Sequence, residues 1–332
     1  DNIAIGHGAM SENTAGGEKN IAVGVYALDA LTSGDENVAV GYRALSTNTT
    51  GHNQTAVGVD TLFLNTTGTH NTAYGSTALY TNTTGGANVA VGSRALEGNT
   101  TASSNAAVGY KALLANTTGD NNVAVGRDAL VANTTGNANV ALGFNALVAN
   151  TTASDNIAIG SSALAVNTTG PGNVAVGRLA LYANTTGSNS VAVGIRALDA
   201  NTTGGGNVAL GHDALGVNID GSSNVACGYN TMDAHTTGND NAAWGAHALG
   251  ASTTGARNTG IGYAAGSNIT TGSNNTCVGY HAATAAVDST QSITLGNGDI
   301  NALRCADTSI ASLSDSRDKT NIVDIPLGLA FV

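Results

Sequence analysis

The residues able to do chemistry in this 332-residue chain are few, and their spacing restricts what that chemistry is. Seven histidines, His7, His52, His70, His212, His235, His247 and His281, are candidate ligands or bases, but no pair stands at a metal-ligand interval. They read as solvated turn residues, and neither a metal nor a cofactor is expected. Cys227, Cys277 and Cys305 contain no Cys-x-x-Cys pair and read as small apolar fillers. The glycine pairs Gly16-Gly17 and Gly85-Gly86 and the triplet Gly204-Gly205-Gly206 lack the following Asp of a calcium-binding roll. Asn-Thr-Thr recurs ten times, at Asn48, Asn65, Asn82, Asn99, Asn116, Asn133, Asn150, Asn167, Asn184 and Asn201. Each is a candidate N-glycosylation site if the chain is made in a glycosylating pathway.

Those ten sites are evenly spaced, and the interval is the key to the elements that carry them. Stepping by 17 residues from Asn20 reaches Asn37, Gln54, Asn71, Asn88, Asn105, Asn122, Asn139, Asn156, Asn173, Ser190, Asn207, Asn224, Asn241, Asn258, Asn275 and Ser292, and only the first step, from Asn2, is 18. The consensus is Asn-Val-Ala-Val-Gly-x-x-Ala-Leu-x-x-Asn-Thr-Thr-Gly-x-x. A helical repeat needs two amphipathic helices in about 34 residues, and half that length cannot hold them. Asn-Val-Ala-Val-Gly is short, β-branched and bounded by turn formers, as a strand should be. The expected fold is all-β: a parallel β-solenoid, or β-roll, with one 17-residue coil per repeat over residues 1–296. Stacked coils should bring Asn37, Asn88, Asn122, Asn139, Asn173 and Asn207 into a structural ladder of hydrogen-bonded amides. At about 4.8 Å per coil the rod is roughly 80 Å long.

Composition removes several classes of function. Charged residues are only 10% of the chain and the net charge is −11, with 11 Lys and Arg scattered along it, so no basic stripe is available for nucleic acid. Hydrophobic residues at 42% argue against disorder. No apolar run reaches the roughly 18 residues of a membrane helix, so no membrane insertion is expected. The first residues, Asp1-Asn2-Ile3-Ala4-Ile5-Gly6, read as the start of a mature or internal segment.

Assembly follows from the strand. Alternation puts both Val positions on one face and Ala and Gly on the other, with no charge on either. Leu45, Leu96, Leu113, Leu130, Leu147, Leu164 and Leu198 are expected to add a second apolar row along the surface. Such rows exceed what a monomer leaves exposed, so the chain should bury them against copies of itself. Tyr74 and Trp244, at the second Val position, read as packing bulk rather than sugar platforms; Tyr42, Tyr110, Tyr229, Tyr263 and Tyr280 are better surface candidates, but they too read as structural, and the sequence names no receptor site. The Thr doublets, from Thr49-Thr50 onward, raise ice binding as a distant reading, because adjacent strand residues point opposite ways and leave only one outward rank.

The Asn-x-Ala-x-Gly strand once per coil resembles the head repeats of trimeric autotransporter adhesins, and with Ala-Leu and Asn-Thr-Thr-Gly it resembles repeat arrays of phage and other viral tail fibres. The stretch Ser314-Asp315-Ser316-Arg317-Asp318-Lys319-Thr320-Asn321-Ile322, then Ile325-Pro326-Leu327-Gly328-Leu329, resembles the opening of the intramolecular chaperone of endosialidases and tail fibres. The resemblance implies a homotrimer, with 297–313 as connector and 314–332 as a truncated chaperone start. It implies a structural fibre shaft on a virion or an extracellular surface, presenting or spacing an element that attaches to a host glycan or protein. A cellular trimeric adhesin or filament subunit is the alternative.

The resemblance also assigns self-cleavage to Ser314, with Lys319 as its partner. A serine hydroxyl attacks only when a base takes its proton, and lysine is that base only when desolvation or neighbouring positive charge, such as Arg317, lowers its pKa. The rest of the chaperone would supply that environment. Cleavage is therefore expected only in a longer parent chain, once per molecule, and the chain as given reads as a non-enzyme.

Overall fold

The computed structural model describes residues 1–13 and 16–300. It contains one three-residue strand per coil, from β1 (Ile3–Ile5), β2 (Ile21–Val23) and β3 (Val38–Val40) to β18 (Ile293–Leu295). Each strand pairs in parallel with the next coil's, Val38 against Thr55 and Ala39 against Ala56, giving a single sheet of eighteen strands. The first pairing, Ile3 against Ile21, absorbs the 18-residue step. The all-β parallel solenoid of 17-residue coils is therefore the architecture.

Hydrogen bonding is not confined to the sheet. Around one coil, Arg43 N–H donates back to Val25 O at 3.0 Å and Leu45 N–H donates forward to Thr61 O at 3.0 Å. Thr49 N–H then reaches forward to Thr66 O at 3.0 Å, and Asn53 N–H back to Asp35 O at 3.0 Å. Turns as well as strands are thus tied to both neighbours, which satisfies the backbone around most of the perimeter.

The turn after each strand places left-handed residues alternately, with φ of 138° at Gly41, 52° at Arg43 and 52° at Leu45. A side chain at the strand glycine is excluded: a Cβ on Gly92 would lie 2.6 Å from Gly109 O, at a φ of 133°. The left-handed leucines cost about 1–2 kcal/mol each in backbone energy. What offsets this is burial, because the turn points Ala44 and Leu45 into the coil, where both are fully buried.

This corrects one expectation. Leu45, Leu96, Leu113, Leu130, Leu147, Leu164 and Leu198 are all 0% exposed and form the core with the strand alanines, such as Ala39 and Ala90. They are not a surface row. The strand faces are as alternation predicts: the middle residue is buried, and the two flanking residues look outward from the sheet. Tyr74 and Trp244 sit on that outward face, about half exposed within the single chain. The connector and chaperone start, with Cys305, Ser314 and Lys319, lie outside the described residues apart from positions 297–300.

Candidate functional site: a polar interior and an uncharged flank

Two columns of asparagine run through the coil interior. In the strand column Asn37 N–H donates to Asn20 Oδ1 at 2.9 Å and its Nδ2 donates to Gly51 O at 2.9 Å. The same pair of bonds recurs at Asn88, Asn122, Asn139 and Asn173, and at Asn207 with Ser190 Oγ as acceptor. The repeating link between coils is thus main-chain amide to side-chain oxygen.

Side-chain amides bond to each other in parts of that column, as Asn37 Nδ2 to Asn20 Oδ1 at 3.0 Å and Asn122 Nδ2 to Asn105 Oδ1 at 3.2 Å, but the unbroken ladder of side-chain amides is made by the sequon asparagines. Asn65 Nδ2 donates to Asn48 Oδ1 at 3.1 Å, Asn82 to Asn65 at 2.7 Å, Asn99 to Asn82 at 2.8 Å and Asn116 to Asn99 at 3.0 Å. The chain of bonds continues through Asn133, Asn150, Asn167, Asn184 and Asn201 to Asn218. Each of these nitrogens also donates to the carbonyl three residues on, as Asn133 does to Gly136 O at 3.0 Å. All ten candidate glycosylation asparagines are 0% exposed. A glycan needs that nitrogen in solvent, so the folded coil cannot carry one at Asn48, Asn65, Asn82, Asn99, Asn116, Asn133, Asn150, Asn167, Asn184 or Asn201. The Thr that follows donates its hydroxyl to the next coil, Thr49 Oγ1 to Thr66 O at 3.1 Å, which leaves the second Thr of each doublet as a single exposed rank.

The ladder stops where the residue type changes. His235 occupies the next place, fully buried rather than solvated, which corrects the reading of the histidines at this position. Its Nε2 lies 2.8 Å from Gly238 O and its Nδ1 3.5 Å from Ser252 Oγ. Desolvation pushes its pKa below the ordinary imidazole value, which the bonds to Gly238 and Ser252 partly oppose. The neutral ring with hydrogen on Nε2 fits these partners, and it leaves Asn218 Oδ1 without a donor. Ile269 follows Ser252 in the column, and Gly266 stands there in place of the usual Leu, so that Leu249 and Ile269 fill the space a side chain would take. The signal missed in the sequence was this column: a place that accepts Ile269 is interior.

The outward strand face is uncharged over its whole length, with Val, Ile, Leu, Thr, Ala, Tyr, Trp and Cys227 at its positions. Val89, Val91 and Val108 are each 39% exposed, and Leu142 44%. Charges lie elsewhere on the surface and pair between coils, as Arg43 with Asp60 at 2.7 Å and Arg196 with Asp213 at 2.7 Å. An open cleft of about 270 Å³ around Gly216 is lined by Asp199, Asp213, Asn230 and Asp233, with burial raising the Asp199 pKa; it sets no nucleophile beside a base. Among the described residues no three His, Cys, Asp or Glu side chains are placed to hold a metal, and no helix is long and apolar enough to cross a membrane. No protein-family model matches the chain, and no curated protein matches its sequence.

Proposed function

We propose that the chain is the shaft of a homotrimeric fibre, of the phage-like tail-fibre kind, that presents or spaces a host-attachment element. The observation that carries this reading is the uncharged outward strand face, continuous from coil to coil. The interior of the rod is filled by its own Ala, Leu and Asn, so it needs nothing from another copy of the chain. The outer face is different: an apolar strip roughly 80 Å long and about 10 Å wide, about 800 Å² in outline, exceeds the few hundred Å² that soluble monomers expose. Three copies with these faces turned to a common axis remove it from water. A rod bonded around its perimeter at each step suits a spacer, because one coil cannot move without breaking bonds to both neighbours. The Ser314–Ile322 stretch favours a virion fibre over a cellular adhesin or filament. Immuno-electron microscopy with antibody to the rod tests this reading: label along fibres of purified particles is expected, and label confined to the cell envelope would replace it with the adhesin.

A further inference from the structure

Beside the outward face, at the turn that follows each strand glycine, the last coils carry a six-ring column, whereas ring contacts in the earlier described coils are isolated pairs such as His7–Tyr26 and Phe63–Tyr80. His212 stacks on Tyr229 with ring centroids 5.6 Å apart, and Tyr229 meets His247 edge-on at 5.6 Å. His247 meets Tyr263 at 5.8 Å, Tyr263 stacks on Tyr280 at 5.5 Å, and His281 lies 4.4 Å from Tyr280. Tyr229, Tyr263 and Tyr280 are 53%, 46% and 63% exposed among the described residues. In earlier coils the residue after the glycine is Ser76, Ser93, Arg127, Ser161 or Arg178; in the last coils the one break at that place, Ala246, is bridged by the ring of His247.

We propose that this column binds a linear, neutral saccharide chain laid along the rod. Exposed tyrosine and histidine rings combine apolar carbon with polar edge groups, which suits a sugar with its C–H surface on ring carbon and its hydroxyls at the phenol or imidazole; where two rings stack, as Tyr263 on Tyr280, the sugar meets their edges. Asp213 Oδ2, 2.7 Å from His212 Nδ1, fixes that ring with Nε2 free to accept from a hydroxyl. The column is one ring wide from His212 to Tyr263, two at Tyr280 and His281, and advances by one coil, about 4.8 Å, at a time. That shape fits a polymer of rings in single file; a stable protein partner needs a patch of about 800 Å². Single-stranded nucleic acid also stacks on aromatic columns, but this one contains no Lys or Arg and belongs to a chain of net charge −11, so phosphates are repelled. The inference assigns binding to the rod itself and goes beyond a spacer's role.

The test is calorimetric titration of the whole chain with maltohexaose, cellohexaose and chitohexaose at millimolar concentration, followed in parallel by fluorescence of Trp244, the sole tryptophan, on the strand just ahead of His247. At least one saccharide should bind. Tyr263→Ala combined with Tyr280→Ala should weaken it about tenfold or more, and Tyr42→Ala, at the same turn of an early coil, should leave it unchanged. Absence of binding by all three, or binding indifferent to the paired substitution, overturns the proposal. So does a paired variant whose oligomeric mass by light scattering differs from the parent's, since the rings would then be a contact between copies. A monomeric rod that still binds would overturn the trimeric shaft and leave this proposal standing.

Discussion

Replacing Asn133 with alanine removes one rung from the buried amide ladder, and the structure says which groups are left bare. Asn133 Nδ2 donates to Asn116 Oδ1 at 2.9 Å and to Gly136 O at 3.0 Å, and its Oδ1 accepts from Asn150 Nδ2 at 2.9 Å. Two of the three partners keep another bond: Gly136 O still accepts from Asn122 Nδ2 at 2.9 Å, and Asn150 Nδ2 still donates to Ala153 O at 3.1 Å. Asn116 Oδ1 alone is orphaned. A buried acceptor left unpaired costs about 1–3 kcal/mol, and the small void adds about 1 kcal/mol. The expected loss is therefore about 2–4 kcal/mol, read as a lower urea midpoint of the circular-dichroism transition. Thr135→Ala, on the exposed member of the neighbouring doublet, should stay within about 0.5 kcal/mol. Because each coil touches only its neighbours, faster hydrogen exchange should centre on the coils around residue 133. Equal midpoints for the two variants would refute the assignment of the sequon asparagine as an interior strut.

Acid should weaken the rod through His235. Burial holds its folded pKa below the ordinary 6.5, so above that value the ring is neutral folded or unfolded. As pH falls through it, the unfolded chain takes up a proton that the folded one resists, and stability is lost. His235→Asn should restore a donor to Asn218 Oδ1 and remove this part of the acid sensitivity; urea midpoints of both proteins above and below pH 6.5 check it, and parallel pH dependences would contradict it. Gly92→Ala should cost about 2 kcal/mol or more, because its Cβ would meet the next coil's backbone. Gly206→Asn should be tolerated, since Asn189 already holds that place with a φ of 56°; comparable losses in thermal melts of the two variants would be the contrary result. Folded protein secreted through a glycosylating pathway should show no added hexose mass at the ten Asn-Thr-Thr sites, and intact-mass spectra showing them occupied would contradict the buried ladder.

The period, the strand and the inward strand alanine were legible because each rests on a local rule: a fixed spacing, β-branched residues between turn formers, and alternation. The place of the leucines was not. Leu45 reaches the interior through a left-handed turn at a φ of 52°, and leucine carries no sign of that conformation, which is usually marked by Gly or Asn. The sequons misled for a different reason. A surface modification motif and a buried polar column share the same letters, and only the substitutions at that place, His235, Ser252 and Ile269, separate them. The ring column was visible as Tyr229, Tyr263 and Tyr280, but His247 joins it only because successive turn positions of stacked coils bring those rings together.

The claim that the uncharged strand face is turned inward against two further copies is tested most directly by mass. Light scattering coupled to size exclusion, on the whole chain at micromolar concentration, should give three times the 32.5 kDa of one chain, with an elongated profile of roughly 80 Å or more. A particle of 32.5 kDa that keeps its full β signal would contradict the account.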